Sequence, residues 1–221
     1  MAKARPSVQA PNVDPIRLSG LDDGSPDDLR GGADLEGLSF ADLETGGLDL
    51  AGATLFSCEF AGVSAAEADL TALRLRESRL ARTGIPVLRA ARSDWRDVVV
   101  EDCRFGSCEL YDATWRSVQV RNCRLDYANL RGADLVDVAF ADCTIEELDL
   151  AGARVTRAAF AGCRIGHLDV QHAELSHVDL RGAQIASVAG VLDLRGATVD
   201  EGQLTLLAPL LAAGLGLRVE E

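Results

Sequence analysis

A five-residue period runs through this chain from Ala33 to Ser187 without insertion or deletion, and few folds can accommodate it. Set out in fives, the sequence reads ADLEG, LSFAD, LETGG, LDLAG, ATLFS, CEFAG and keeps one frame for 31 units. The third residue of each unit, here the centre, is Leu, Ile, Val, Phe or Trp in 28 of the 31, the exceptions being Thr45, Ala65 and Ala90. The first residue, here the partner, is apolar or small throughout. No centre or partner is charged, although 26% of the chain is; indifference to position would place roughly sixteen charges there. The period is a burial pattern.

A step of five advances about 140° around an α-helix and would spread the apolar residues over every face, so a helix is excluded. Partner and centre lie two apart, the spacing of one strand face. Centre and next partner lie three apart, so the chain must turn a corner once per unit to keep both inside. The last position of the unit often suits a corner: Gly37, Gly47, Gly52, Gly62, Gly132, Gly152, Gly162 and Gly182 stand there, as do Asp42, Asp97, Asp102, Asp112, Asn122, Asp137 and Asp142. These residues tolerate tight turns.

The number of sides follows from which residues repeat as columns. Cys103, Cys123, Cys143 and Cys163 recur every twenty residues, as do Trp95 and Trp115, Phe40 and Phe60, and Phe140 and Phe160. Twenty residues are four sides. The 31 units then make nearly eight coils, a rod about 37 Å long at a strand spacing of ~4.8 Å. The low aromatic content, 5%, agrees with a core of many small similar layers rather than a few large rings.

The units ADLEG, LDLAG, ANLRG, ADLVD and VDLRG resemble the pentapeptide-repeat family, whose pattern is A(D/N)LXX, over residues 33 to 199. The resemblance implies an all-β solenoid, a right-handed quadrilateral β-helix of about eight coils. It says less about function, because the fold is a scaffold.

The flanks break the period. Residues 1–32 carry Pro6, Pro11, Pro15 and Pro26 and the pairs Asp22/Asp23 and Asp27/Asp28, the composition of a flexible tail, with Ile16, Leu18 and Leu21 available to plug the open first coil. After Ser187 the frame slips by one residue. Residues 200–221 then read as a short C-terminal helical cap, about Glu201 to Ala213, with Thr198 or Asp200 as N-cap, Gly214 as stop and Pro209 as a kink or break, followed by an alternating edge strand at Leu215, Leu217 and Val219. The helix is too apolar for a cap alone, so Leu204, Leu207, Leu210 and Leu211 are the candidate dimer interface. Gyrase-protecting members of the family dimerise through this end, and the tail resembles theirs; a cap on a monomer is the alternative.

Catalysis has little to work with. The six cysteines, Cys58, Cys103, Cys108, Cys123, Cys143 and Cys163, all occupy inward partner slots and read as buried free thiols, consistent with a reducing cytoplasmic location. A straight ladder of thiols does not surround a tetrahedral metal ion. His167, His172 and His177 sit on successive corners and point apart. There is no P-loop and no dinucleotide fingerprint. The reading is a non-enzyme without metal or cofactor, and the first residues, Met1 to Ala10, show no apolar leader segment.

The surface remains. The chain has 35 acidic and 22 basic residues, a net charge of -13, and Lys3 is its only lysine, which speaks against direct binding of nucleic acid or an anionic membrane. Residues 1–72 hold 13 acids and 4 bases, residues 73–100 hold 3 and 7, and residues 101–221 hold 19 and 11, so a belt of Arg74, Arg76, Arg79, Arg82, Arg89, Arg92 and Arg96 divides two acidic regions. One outward column reads Asp49, Asp69, Arg89, Glu109, Asn129, Asp149, Asp169. Its acids, Asp49, Asp69, Glu109, Asp149 and Asp169, are the candidate partner-binding surface. Carboxylates stacked on a rod of duplex width can stand in for DNA phosphates; the plainer reading is that they serve corner hydrogen bonds and solubility. Resemblance to the loop-free, gyrase-interacting fluoroquinolone-resistance members implies a DNA-mimicking partner of DNA gyrase or a related type II topoisomerase. The alternative is a scaffold for another cytoplasmic protein.

Overall fold

The computed structural model describes residues 7–218, and the five-residue frame governs it. Parallel strands pair from coil to coil at a constant offset of twenty residues, as in Trp95 opposite Trp115 and Phe105 opposite Leu125, so four sides make one turn. Two parallel ladders climb the rod, one of twelve strands and one of ten, each long strand bending across a corner, as Arg74–Ala81 does at Glu77. The molecule is a parallel β-solenoid of about nine turns with a C-terminal helix. The turn beyond the eight expected comes from the flanks. Strand Asp22–Asp23 pairs with the start of Leu38–Ala41 at an offset of sixteen, and strand Ala197–Thr198 pairs with Val178–Asp179 at an offset of nineteen. These incomplete coils carry the ladders past both ends of the 31-unit frame.

The core is the set of inward positions. Nearly every centre from Phe40 to Val170 and nearly every partner from Leu48 to Val178 is buried. The columns stack as their period predicts: Phe40 on Phe60, Trp95 on Trp115 and Phe140 on Phe160 have ring centroids 5.0 Å apart. Burial of this continuous apolar column supplies most of the stabilisation, and each coil protects the edge of the next.

The corners are not equivalent. Between Gly37 and Gly182 every residue with positive φ is the last of its unit, on three of the four corners of each coil. The fourth, running Gly47, Glu67, Val87, Ser107, Tyr127, Glu147 and His167, has no left-handed residue; from Val87 onward its residues stay in the ladder. Gly47 therefore needs no glycine for its φ. On the left-handed corners Ser57, Ala72, Glu77, Arg82, Arg92, Arg157, His172 and His177 adopt φ of 45–60° despite carrying side chains, a local strain that the surrounding ladder overrides.

Both flanks differ from expectation. Residues 7–21 do not project as a loose tail: they lie along the outside of the rod, with Val8, Pro11, Val13, Ile16, Leu18 and Leu21 half-buried between exposed neighbours. This alternation gives the segment one apolar side to bury. Ile16, Leu18 and Leu21 are consequently not the plug. The first coil is covered by Gly24, whose backbone passes directly over the Phe40 ring, and by Leu29 after the short 3-10 turn Pro26–Asp28, which Ser25 and Asp28 cap reciprocally.

At the other end, helix α1 (Glu201–Gly214) is capped by Asp200 and Gln203 in a capping box, and Gln203 Nε2 also donates to the carbonyls of Leu180 (2.6 Å) and Ala183 (2.7 Å), tying the helix to the last coil. Pro209 neither stops nor divides it, since the helix continues to Gly214; the missing proline N–H removes one rung only. No strand follows the helix among the described residues, and Leu215 and Leu217 are exposed; Val219 lies outside them. Among the described residues no helix is long and apolar enough to cross a membrane.

Candidate functional site

The acidic column exists as a register. Asp49 pairs with Asp69, Asp69 with Arg89, Arg89 with Glu109, Glu109 with Asn129, Asn129 with Asp149 and Asp149 with Asp169. Its chemistry is largely internal, however. The Oδ1 atoms of Asp49, Asp69, Asp149 and Asp169 each accept the backbone N–H two residues ahead, from Ala51, Thr71, Ala151 and Gln171, at 2.9–3.0 Å. These are Asx turns that fasten the corner. Asp149 is only 3% exposed and also accepts from Arg131 Nη1 at 2.7 Å, so it cannot meet a partner. The candidate surface is corrected at that residue. Burial follows from position: the column borders a strand face, and the neighbouring arginine folds over it.

Acidic side chains are densest at the N-terminal end. Residues 22–49 hold Asp22, Asp23, Asp27, Asp28, Asp34, Glu36, Asp42, Glu44 and Asp49 against Arg30 alone. All but Asp28 are exposed, and none belongs to an ion pair among the described residues. The imbalance of residues 1–72 is readable in the sequence, but assigning residues 1–32 to a loose tail hides that Asp22–Asp28 close the first coil and add to its charge.

The rest of the rod is more nearly neutralised. Within the arginine belt, Arg76 pairs with Asp94 (2.6 Å), Arg79 with Glu59 (3.2 Å) and Glu101, and Arg89 with Glu67 (3.0 Å). Arg74, Arg82, Arg92 and Arg96 have no carboxylate within ion-pair distance among the described residues. Further along, Arg116 pairs with Asp134 (2.6 Å) and Arg157 holds Asp137 through two bonds of 2.6 and 2.7 Å. The Arg157 guanidinium keeps the Asp137 carboxyl below the usual carboxylate range, with a further bond from the Asn12 N–H, and Arg181 does the same for Asp179.

The C-terminal end carries the second candidate surface. Leu207 and Leu211 turn towards the last coil and are half-buried, whereas Leu204 and Leu210 are 51% and 43% exposed. Leu206, 71% exposed, and Leu215, 66% exposed, are more open than either and were not among the four expected interface residues. Of the four candidate residues the helix therefore turns Leu207 and Leu211 to the rod and presents Leu204 and Leu210, with Leu206 and, just past the helix, Leu215 exposed beside them. A groove of about 630 Å³ lined by Ile165, Ile185, Gln203, Leu206 and Leu207 runs into the same apolar end.

The six cysteines are buried and free. Burial pushes the Cys108 thiol up to about 12 and raises Cys58. His167 Nδ1 lies 2.8 Å from Ser187 Oγ, and His177 Nδ1 accepts the Gln9 N–H at 3.2 Å. His172 occupies a left-handed corner of its own. No group of three or more His, Cys, Asp or Glu is arranged to hold a metal among the described residues.

Residues 113–189 match the family model described as a pentapeptide repeat region. Similar solved structures include a trypsin-treated variant of QnrB1, a plasmid-mediated fluoroquinolone resistance protein, which is 16% identical, with 86% of this chain and 100% of that chain covered and a TM-score of 0.35. Full-length QnrB1 is 20% identical over 86% of this chain and 94% of that one, with a TM-score of 0.29. HetL from the cyanobacterium Nostoc sp. strain PCC 7120, a pentapeptide repeat protein involved in heterocyst differentiation regulation, is 17% identical over 76% and 91%, with a TM-score of 0.20. No curated protein matches the sequence.

Proposed function

Residues 113–189 carry a pentapeptide repeat region, and from that premise we propose that the chain is a pentapeptide-repeat protein that acts without catalysis, as a DNA mimic that binds DNA gyrase or a related type II topoisomerase and modulates it or shields it from inhibitors. The observation that carries this reading is the N-terminal end of the rod, where residues 22–49 hold nine carboxylates against one arginine with no ion pair to them among the described residues. Unpaired carboxylates on a stiff rod present a negative potential to a basic DNA-binding surface and steer its approach. The exposed leucines of α1 favour a homodimer through the C-terminal end. That arrangement would put the two acidic ends at the tips of a rod roughly 85 Å long, at a strand spacing of ~4.8 Å.

The experiment is titration of the purified chain into a gyrase supercoiling assay, with and without a fluoroquinolone, beside a variant in which Asp23, Asp34, Glu36 and Glu44 are lysine. Inhibition or drug protection near stoichiometric protein, lost in the folded variant, supports the mimic. Equal effects of the two proteins would overturn it. A second reading, a scaffold for another protein, is favoured by the ion pairing of the later coils, which engages many of their carboxylates within the rod. It predicts no effect on supercoiling at large excess and retention of a different partner on the immobilised protein.

A further inference from the structure

Residues 7–21 are bound to the rod as a ligand would be. The N–H groups of Gln9, Asn12 and Asp14 donate to His177 Nδ1 (3.2 Å), Asp137 Oδ1 (2.9 Å) and Ser117 Oγ (3.4 Å). The three acceptors stand on one corner, at intervals of two coils and then one, so the segment descends the rod across its strands. A chain in that direction cannot join the ladder, and Pro11 and Pro15 have no N–H to give. What holds it is side-chain acceptors and the alternating apolar residues Val8, Pro11, Val13, Ile16 and Leu18.

The surface beneath suits an extended chain. Outward positions on this side read Glu59, Arg79, Val99, Gln119, Ala139 and Ala159, flanked by Ala81, Glu101, Arg121, Ala141 and Ala161, so the wall is flat and alanine-rich in its later coils and bordered by long polar side chains below them. Val99 is 5% exposed although it lies outside the inner core. Pro15, Ile16, Leu18 and Leu21 stand over it, and with Glu59, Arg79, Gln119 and Arg121 they enclose a cavity of about 600 Å³. The cover is therefore incompletely packed, and its three hydrogen bonds are all exposed to solvent. Segments held by few buried contacts and by exposed hydrogen bonds open locally, far below the cost of unfolding.

We propose that this wall is a peptide-binding face closed in cis. Residues 7–21 are its resident occupant, and their release admits an extended partner segment of the same chemistry, alternating apolar residues interrupted by proline. The reading is independent of the acidic end and of any topoisomerase.

The test uses a fluorescent peptide of residues 7–21 and three proteins: the full chain, a full-length Ile16→Glu/Leu18→Glu variant whose own segment is weakened, and the same variant with Val99→Glu added. Anisotropy titration gives saturable binding to the released variant at least roughly tenfold tighter than to the full chain, because the open fraction of the face scales apparent affinity. Val99→Glu removes that binding. Equal binding by the full chain and the released variant, or binding that survives Val99→Glu, would overturn the proposal. Hydrogen exchange on the unaltered chain decides the matter should the variants fail to fold. The amides of Gln9, Asn12 and Asp14 exchange about a hundredfold or more faster than the ladder amide of Val120 if the segment lifts independently. Exchange as slow as that of Val120 makes it a permanent part of the rod and ends the proposal.

Discussion

Arg131 reaches 2.7 Å from its Nη1 to a carboxylate oxygen of Asp149 with its own side chain 57% exposed, while the side chain of Asp149 is 4% exposed. One partner of this ion pair is on the surface and the other is inside it. Reversing the charge at Asp149 therefore tests the fold rather than recognition.

Asp149→Lys removes the acceptor for the Ala151 N–H and sets a buried ammonium beside Arg131. The expected loss is about 3–5 kcal/mol, read as a fall in the urea midpoint. Asp169→Lys, two positions from Gln171 on the next coil and more open to water, is expected to cost about 1 kcal/mol or less. Equal losses for the two variants would mean that the enclosure of Asp149 carries no weight.

The Asp137 and Arg157 pair sets a pH dependence. The folded pKa of Asp137 lies below its unfolded value, so its contribution is fully present above the unfolded carboxylate range and disappears as pH falls through the folded value. The difference in stability between the chain and an Arg157→Gln variant is thus expected to be constant near neutrality and to shrink on acidification below about pH 4. A difference that widens in acid contradicts the pairing. Asp179 beside Arg181 shifts in the same direction, so the intact chain loses stability across the same window.

Thiol reactivity follows from burial. Six free cysteines with closed surroundings, and a Cys108 thiol pushed up to about 12, are expected to be inert towards a thiol-specific disulfide reagent at neutral pH in the folded chain and to titrate fully once it is unfolded. Rapid labelling of the native protein would contradict the closed core.

The tryptophan stack gives a fourth expectation. Trp95 and Trp115 lie face to face at 5.0 Å, and neither Nε1–H has a hydrogen-bond partner among the described residues. Trp115→Ala empties a large volume and is expected to cost about 3–5 kcal/mol. Trp115→Phe removes an unsatisfied donor along with part of the ring, and its cost is expected to stay within about 1.5 kcal/mol. Thermal unfolding of the two variants separates these values, and similar melting temperatures would show that the donor is in fact satisfied.

The inward half of the molecule was legible because it repeats. Phe40 on Phe60 and Trp95 on Trp115 follow from spacing alone, and so do the corner positions. Which corner does without a left-handed residue did not follow, because Gly47 carries the same corner signal as Gly52 while Val87 and Tyr127 stand in its column. The outward half was less legible. Asp49 and Asp149 share a column and a hydrogen-bonding habit, yet one is exposed and the other is enclosed by an arginine from the preceding coil, a difference set by a neighbour eighteen residues away. Residues 7–21 looked like a tail on their prolines. The signal that would have placed them was the alternation of Val8, Pro11, Val13, Ile16 and Leu18 together with a wall of outward alanines able to receive it.

The offsets at the two ends of the ladder bear on self-assembly. A twenty-residue repeat can in principle polymerise, since each coil templates the next and nothing in the repeat counts them. Here Asp22 pairs sixteen residues ahead with Leu38, and Ala197 pairs nineteen residues behind with Val178, after which α1 turns across the last coil. A second rod brought to either end meets a ladder out of phase and partly obstructed. The irregular coils thus act as chain terminators, and any head-on association has to be made by side chains instead of by continuation of the backbone ladder, which keeps the assembly finite.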